Sequence, residues 1–215
     1  MGSNIGDIII NGRYEFFHEY QLKKKNGKEY IDKSLPYLAV TGGLTIPTGK
    51  SEETAENDVD VTGKGFFMSS LGLSMTKSII EGKFQVSMDL SWQHSFKKTF
   101  DMSFGQKVTP YEKQQGERYN YSLMFNYIIN RWHAASLSVS GYSQNNYSIN
   151  NKPTEGSDEH NLNFTLMYTY YPTQSLRITP SLKWNIPSNN IAKNSPGSTT
   201  FGVNLTYYIE DLDIK

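Results

Sequence analysis

Cysteine is absent from the sequence, which excludes disulfides, thiol catalysis and thiolate metal sites. Neither sign of charge is in excess: Lys+Arg and Asp+Glu both number 21. That balance gives no electrostatic case for nucleic acid, which would want a basic stripe, and no nucleic-acid partner is expected. Long hydrophobic runs are missing too. Apolar residues make up 37% of the chain, and no run approaches the roughly 20 residues that a membrane-spanning helix needs. Residues 1–10, MGSNIGDIII, lack the charged start and the small-residue cleavage site of a secretion signal.

What is present is alternation. In KFQVSMDLSWQHSF, residues 83–96, one set of alternate positions carries Phe84, Val86, Met88, Leu90, Trp92, His94 and Phe96. The other carries Gln85, Ser87, Asp89, Ser91, Gln93 and Ser95. A period of two is a strand with one apolar and one polar face. The pattern recurs in nine segments, opening near Ile8, Leu38, Phe67, Phe84, Tyr119, Ala135, Leu162, Leu176 and Phe201. No helical period competes with it over a useful window. The predicted strands reach the ~9–11 residues with which a tilted strand crosses a bilayer.

The connections alternate in length. Long polar stretches follow the second, fourth, sixth and eighth strands, and short turns such as NRWH and YPTQS follow the others. Long loops on one side and short turns on the other are the outer-membrane pattern. The first connection contains Asn26-Gly27, a hairpin signal. A strict two-residue turn there would set apolar Phe16 opposite polar-face Tyr37, so an odd loop or a bulge is expected.

With the long connections placed outside, aromatics on the apolar faces collect at two heights. Phe67, Trp92, Tyr119, Tyr121 and Trp184 fall near the outer ends, and Tyr20, Tyr127, Tyr170 and Tyr207 near the inner ends. Leu44, Leu71, Leu90, Leu123, Leu166, Leu182 and Leu205 lie between them. Two aromatic girdles around an aliphatic band describe a lipid-facing surface. A soluble sandwich or lipocalin-like barrel also alternates. Such a fold has no need of ringed ends, and its solvated face would carry more Lys and Glu than the Ser, Thr and Asn found here. The predicted fold is all-β, an antiparallel up-and-down transmembrane β-barrel in the bacterial outer membrane, with lipid and a small-molecule solute as its partners. Residues 1–215 read as a single domain. Nine strands are visible where single-chain bacterial barrels have an even number. The full-length protein is therefore expected to have ten or twelve, with one or more N-terminal strands and a signal peptide upstream.

Three short stretches carry a family likeness. IGDIIINGRY, GLTIPTGK and TGKGFF resemble the Gly-Asp entry, the Pro-Thr-Gly loop start and the Thr-Gly-x-Gly loop exit of the meta-pathway phenol-degradation (MetA-pathway) family of outer-membrane barrels. The resemblance covers roughly residues 5 to 100. It implies passage of small solutes, aromatic or hydrophobic ones among them. In physical terms these glycines and the Pro-Thr-Gly shape turns.

On the polar parity lie Arg13, Glu15, Glu19, Asp89, Lys97, Arg177 and Lys183. They suit a charge-selecting constriction or a salt-bridge network filling a narrow barrel, and their mixed signs argue against strong ion selectivity. A Ser–His pair needs both groups on one wall. His18 and His94 have apolar parity, and His133 and His160 lie at strand ends, so no catalytic site is expected. The acidic loop with Glu52, Glu53, Glu56, Asp58 and Asp60 lacks calcium-loop spacing, and no metal or other cofactor is expected. The expected function is an outer-membrane channel or transporter for small solutes, the alternative a structural or adhesive barrel with a plugged lumen that acts through its loops. The sequence leaves the oligomeric state open.

Overall fold

Wherever apolar and polar residues alternate, the chain pairs with its neighbour. The structure of the protein, a computed structural model, describes residues 6–17, 21–25, 28–32, 36–51, 55, 61–80, 82–104, 106–173, 175–186 and 197–207. The strands are β1 (Ile8–Phe17), β2 (Gln21–Lys25), β3 (Lys28–Asp32), β4 (Tyr37–Ile46), β5 (Met68–Ile80), β6 (Phe84–Ser95), β7 (Lys98–Ser103) and β8 (Gln106–Gln114). They continue with β9 (Arg118–Asn130), β10 (His133–Gln144), β11 (Ser148–Ile149), β12 (Lys152–Pro153), β13 (Glu159–Tyr170), β14 (Leu176–Asn185) and β15 (Thr199–Tyr207). No helix occurs among the described residues.

The main sheet has nine strands in the order β1-β4-β5-β6-β9-β10-β13-β14-β15. Every adjacent pair is antiparallel, an up-and-down meander built from the nine alternating segments. Among the described residues β1 pairs only with β4 and β15 only with β14, so the sheet is not closed. It is nevertheless curled. Lys64 has its backbone N–H on Asp7 at the start of β1, yet its ammonium feels the charges of Arg118 on β9 and Glu159 on β13. β13 stands six strands from β1 in the sheet, about 29 Å on a flat one at the usual spacing of ~4.8 Å.

The polarity of the two faces is inverted relative to a soluble sheet. Large apolar side chains stand uncovered along the predicted lipid face, Tyr14 at 67%, Leu205 at 68% and Phe201 at 71% exposure. On the opposite face Asn161 and Asn163 are 7% and 8% exposed. In residues 83–96, as along the whole sheet, the apolar face points out and the polar face lines the interior, the barrel arrangement. Rings pair on the outer surface. Phe164 stacks on Trp184 at 5.9 Å and Phe84 on Phe125 at 6.4 Å. Tyr121 lies over its cross-strand partner Gly141, and its hydroxyl donates to Asn161 O at 3.2 Å. A Cβ at Gly141 would come within 2.7 Å of that hydroxyl and 2.0 Å of the Asn161 carbonyl, so the ring covers a site that only glycine leaves open.

Two expected connections prove to be structured. β7–β8 and β11–β12 form a second sheet at the outer end, in the order β12-β11-β8-β7. Among the described residues a buried apolar cluster joins it to the main sheet, where Phe66, just before β5, and Met68 at its start meet Phe100 of β7 and Tyr111 of β8. The Lys98 ammonium caps the Phe100 ring at 5.0 Å. β2 and β3 pair antiparallel as a two-stranded sheet of their own, with Lys25 opposite Lys28, and Asn26-Gly27 lies outside the described residues. The expected bulge sits between Glu15 and Phe17, where Phe16 is the extra residue.

Candidate functional site

Register, not sequence spacing, assembles the interior. One transverse row runs through Glu15, Ala39, Ser74, Asp89, Ser122, Ser140, Asn163 and Asn185. The row outside it runs through Arg13, Thr41, Gly72, Ser91, Asn120, Tyr142 and Asn161. The next contains Gln93, Arg118, Gln144 and Glu159. The interior is thus a wall of hydroxyls and amides with charges at a few points. Gly72 has a physical reason in it: a Cβ there would meet Thr41 Oγ1 at 2.5 Å.

The predicted interior charges fall into separate groups. Arg13 and Glu15 are joined through Tyr37, whose hydroxyl donates to Glu15 Oε1 at 2.8 Å and accepts from the Arg13 guanidinium. Asp89 accepts from Ser74 Oγ at 2.6 Å and from Ser122 Oγ at 3.2 Å. Asp89 and Lys183 line one cavity of about 480 Å³ with Asn120, Tyr142, Asn163 and Asn185. Arg177 stands apart near the inner end, where a guanidinium N–H donates to Thr206 Oγ1 at 3.2 Å. Lys97 lies beyond the end of β6, exposed, and its ammonium donates to Asn151 of the outer sheet. It ties two outer hairpins together and does not stand beside the interior cavity. Glu19 and Tyr20, His18, and the acidic loop residues Glu52, Glu53, Glu56, Asp58 and Asp60 lie outside the described residues.

At the outer mouth stands a cluster that the parity count stopped one repeat short of reaching. The Arg118 guanidinium lies 3.7 Å from the centre of the Tyr142 ring, and its Nε donates to Asn120 Oδ1 at 3.0 Å. Tyr142 donates to Glu159 Oε1 at 2.5 Å. Lys64 reaches this group from the β4–β5 connection. Desolvation holds its ammonium below the ordinary lysine range and Arg118 adds to the effect, while Glu159 and Asp7 pull the other way. Arg118 and Glu159 share the polar parity of Asn120 and Asn161, and extending each alternation by two residues finds them.

The three glycine motifs converge at the same end. Asp7 accepts the Gly49 N–H at 3.1 Å and the Lys64 N–H at 2.9 Å. The Thr48 hydroxyl donates to Gly6 O at 2.9 Å and accepts the Ile8 N–H at 3.1 Å. Thr62 Oγ1 accepts the Lys50 N–H at 3.0 Å. A carboxylate and two hydroxyls therefore bind together the start of β1, the exit from β4 and the approach to β5. Charge-assisted bonds of this kind are about twice as strong as neutral ones.

The predicted girdle residues Phe67, Trp92, Tyr119, Tyr121, Tyr127, Tyr170 and Tyr207 are exposed on the outward face, and Trp184 is half-buried there against Phe164. Glu117 joins the outer girdle, accepting from Trp92 Nε1 at 2.5 Å and meeting His94 Nδ1 at 2.5 Å. At the inner end the His133 ring stacks on Tyr170 at 5.1 Å and bonds the Tyr168 hydroxyl at 2.5 Å. Both histidines are thus held by partners on the outward face.

Residues 2–201 match the family model described as "Putative MetA-pathway of phenol degradation". No curated protein sequence matches the chain. Among solved structures the chain is similar to the crystal structure of an outer membrane channel from Pseudomonas putida F1. The TM-score is 0.66 at 16% identity, and the match covers 96% of this chain and 67% of that one. The likeness read from residues 5 to 100 thus extends to twice that length, although at this identity the structural match speaks for the fold alone.

Proposed function

The chain belongs to the MetA-pathway phenol-degradation family, and we propose that it forms a channel for small solutes through the bacterial outer membrane. The observation that carries this reading is the inverted polarity of the sheet, with exposed Leu205 and Phe201 outside and buried Asn161 and Asn163 within. A lumen built of hydroxyls and amides is a wettable path, while the aliphatic and aromatic outer face meets lipid. The similar structure is itself an outer membrane channel, which supports the same role here. The family description supports aromatic compounds as one class of solute. The reading needs no catalytic group: His94 and His133 are engaged on the lipid face, away from the interior hydroxyls.

Purified full-length protein in planar lipid bilayers tests the proposal. Discrete conductance steps in KCl are the expected result. Their absence, with the protein folded, would favour a plugged barrel that acts through its outer sheet.

A further inference from the structure

We infer that the mid-lumen cavity is a subsite for a neutral, hydroxyl-rich solute such as a sugar, an inference that rests on the channel role proposed above. The cavity measures about 480 Å³, within the range of about 300–1,000 Å³ usual for small-molecule sites. Its floor is one register row, Asp89, Ser122, Ser140, Asn163 and Asn185, contributed by five consecutive strands of the sheet.

Asn163 identifies what the cavity takes. It is 8% exposed, and its amide nitrogen donates to Asn161 Oδ1. Among the described residues no donor reaches its own buried Oδ1. A buried acceptor without a donor is rare and costly; the side chain lines the cavity, so a turn of the amide toward it would let a ligand hydroxyl, or water, supply the bond. Donors and acceptors stand around it. Asp89 keeps lone pairs beyond those used by Ser74 and Ser122, and Lys183 adds an ammonium from the adjacent register row. A polyol matches such a mixed wall, because each hydroxyl both donates and accepts.

An apolar ring does not match it. Leu90 and Tyr121 in the cavity wall belong to the outward face, where they are 44% and 36% exposed, and the interior ring, Tyr142, already has the Arg118 guanidinium over one face at 3.7 Å. A ring at this level would displace water from the amides without replacing its hydrogen bonds. A single fixed charge would be poorly served as well, since the wall supplies one carboxylate and one ammonium.

Full-length protein in planar bilayers separates the claims, with glucose and phenol as probes. Glucose is expected to reduce the KCl current saturably, beyond its effect on bulk conductivity, and phenol is not. Asn163→Leu is expected to weaken the glucose block at least tenfold, the block being read as a fraction of each protein's own KCl current. Asn163→Ser serves the same purpose if the leucine variant fails to fold. Equal block in wild type and variant, no saturable block by glucose, or block by phenol alone would overturn the subsite. If the folded protein carries no current, the channel reading fails. Calorimetric titration of the detergent-solubilised protein with glucose then decides: binding that Asn163→Leu abolishes sustains the subsite, and no binding refutes it.

Discussion

Asp7 and Gly63 lie so close that a Cβ added to Gly63 would stand 2.3 Å from the Asp7 carboxylate oxygen. The same Cβ would stand 2.9 Å from Gly49 Cα. Two glycines and one carboxylate are therefore pressed together where the outer ends of β1, β4 and β5 meet. Gly63→Ala is expected to destabilise the barrel by about 1–3 kcal/mol, the usual cost of overpacking. Asp7→Ala leaves the Gly49 and Lys64 N–H groups without their acceptor, at a similar cost of about 1–3 kcal/mol. Urea unfolding from lipid vesicles, followed by tryptophan fluorescence, measures both. Wild-type stability in either variant would mean that the contact is incidental.

The faces are tested one residue apart. Leu90 is 44% exposed on the outward face, whereas Ser91 accepts a hydrogen bond from Asn120 Nδ2 on the interior wall. Leu90→Arg is expected to cost about 2–4 kcal/mol of folding into lipid, as a charge on the lipid face near mid-bilayer does. Ser91→Arg should cost far less. Equal losses would reverse or abolish the assignment of the two faces.

How much of this was legible in the sequence depends on range. Alternation is local, so the nine strands and their faces could be read from residues such as Leu90 and Ser91 alone. The outer sheet was missed although Phe100 and Met102 alternate with Thr99 and Asp101, because six residues rich in polar groups look like loop. The clamp was legible only as turn-forming glycines. Asp7 and Lys64 are 57 positions apart, and strand pairing alone brings them into contact. The amide row was invisible for the same reason: Asn163 and Asn185 look like any polar-face residues until the register sets them side by side.

Topology has a simple readout, because the chain has no native cysteine. Glu155 is exposed next to the outer sheet and Thr173 in the turn between β13 and β14. Glu155→Cys is expected to react with a membrane-impermeant maleimide on intact cells and Thr173→Cys only after lysis. The opposite pattern would turn the barrel upside down.

If the lumen conducts as proposed, the interior charges set the field along the path, and a narrow low-dielectric pore magnifies each of them. Arg177→Glu combined with Lys183→Glu removes two positive charges and adds two negative ones. Ion preference is expected to move toward cations, seen as a shift of reversal potential in a salt gradient, with little change in folding. Selectivity that ignores the double substitution would place both side chains off the path. Because Lys183 lines the cavity and Arg177 lies nearer the inner end, the single variants should rank, with Lys183→Glu the stronger.

The meander order of the main sheet has a kinetic consequence. Each ladder joins a strand to the next one along the sheet, so every pairing closes a short or moderate loop at modest entropic cost. Local pairings of this kind favour quick, stepwise assembly, hairpin added to hairpin as the chain enters the bilayer. The Asp7 clamp is of another order. It needs β1, β4 and the approach to β5 in place at once, so it forms after those strands have docked and works as a latch. Weakening it should leave the rate of insertion almost untouched and quicken escape from the finished state.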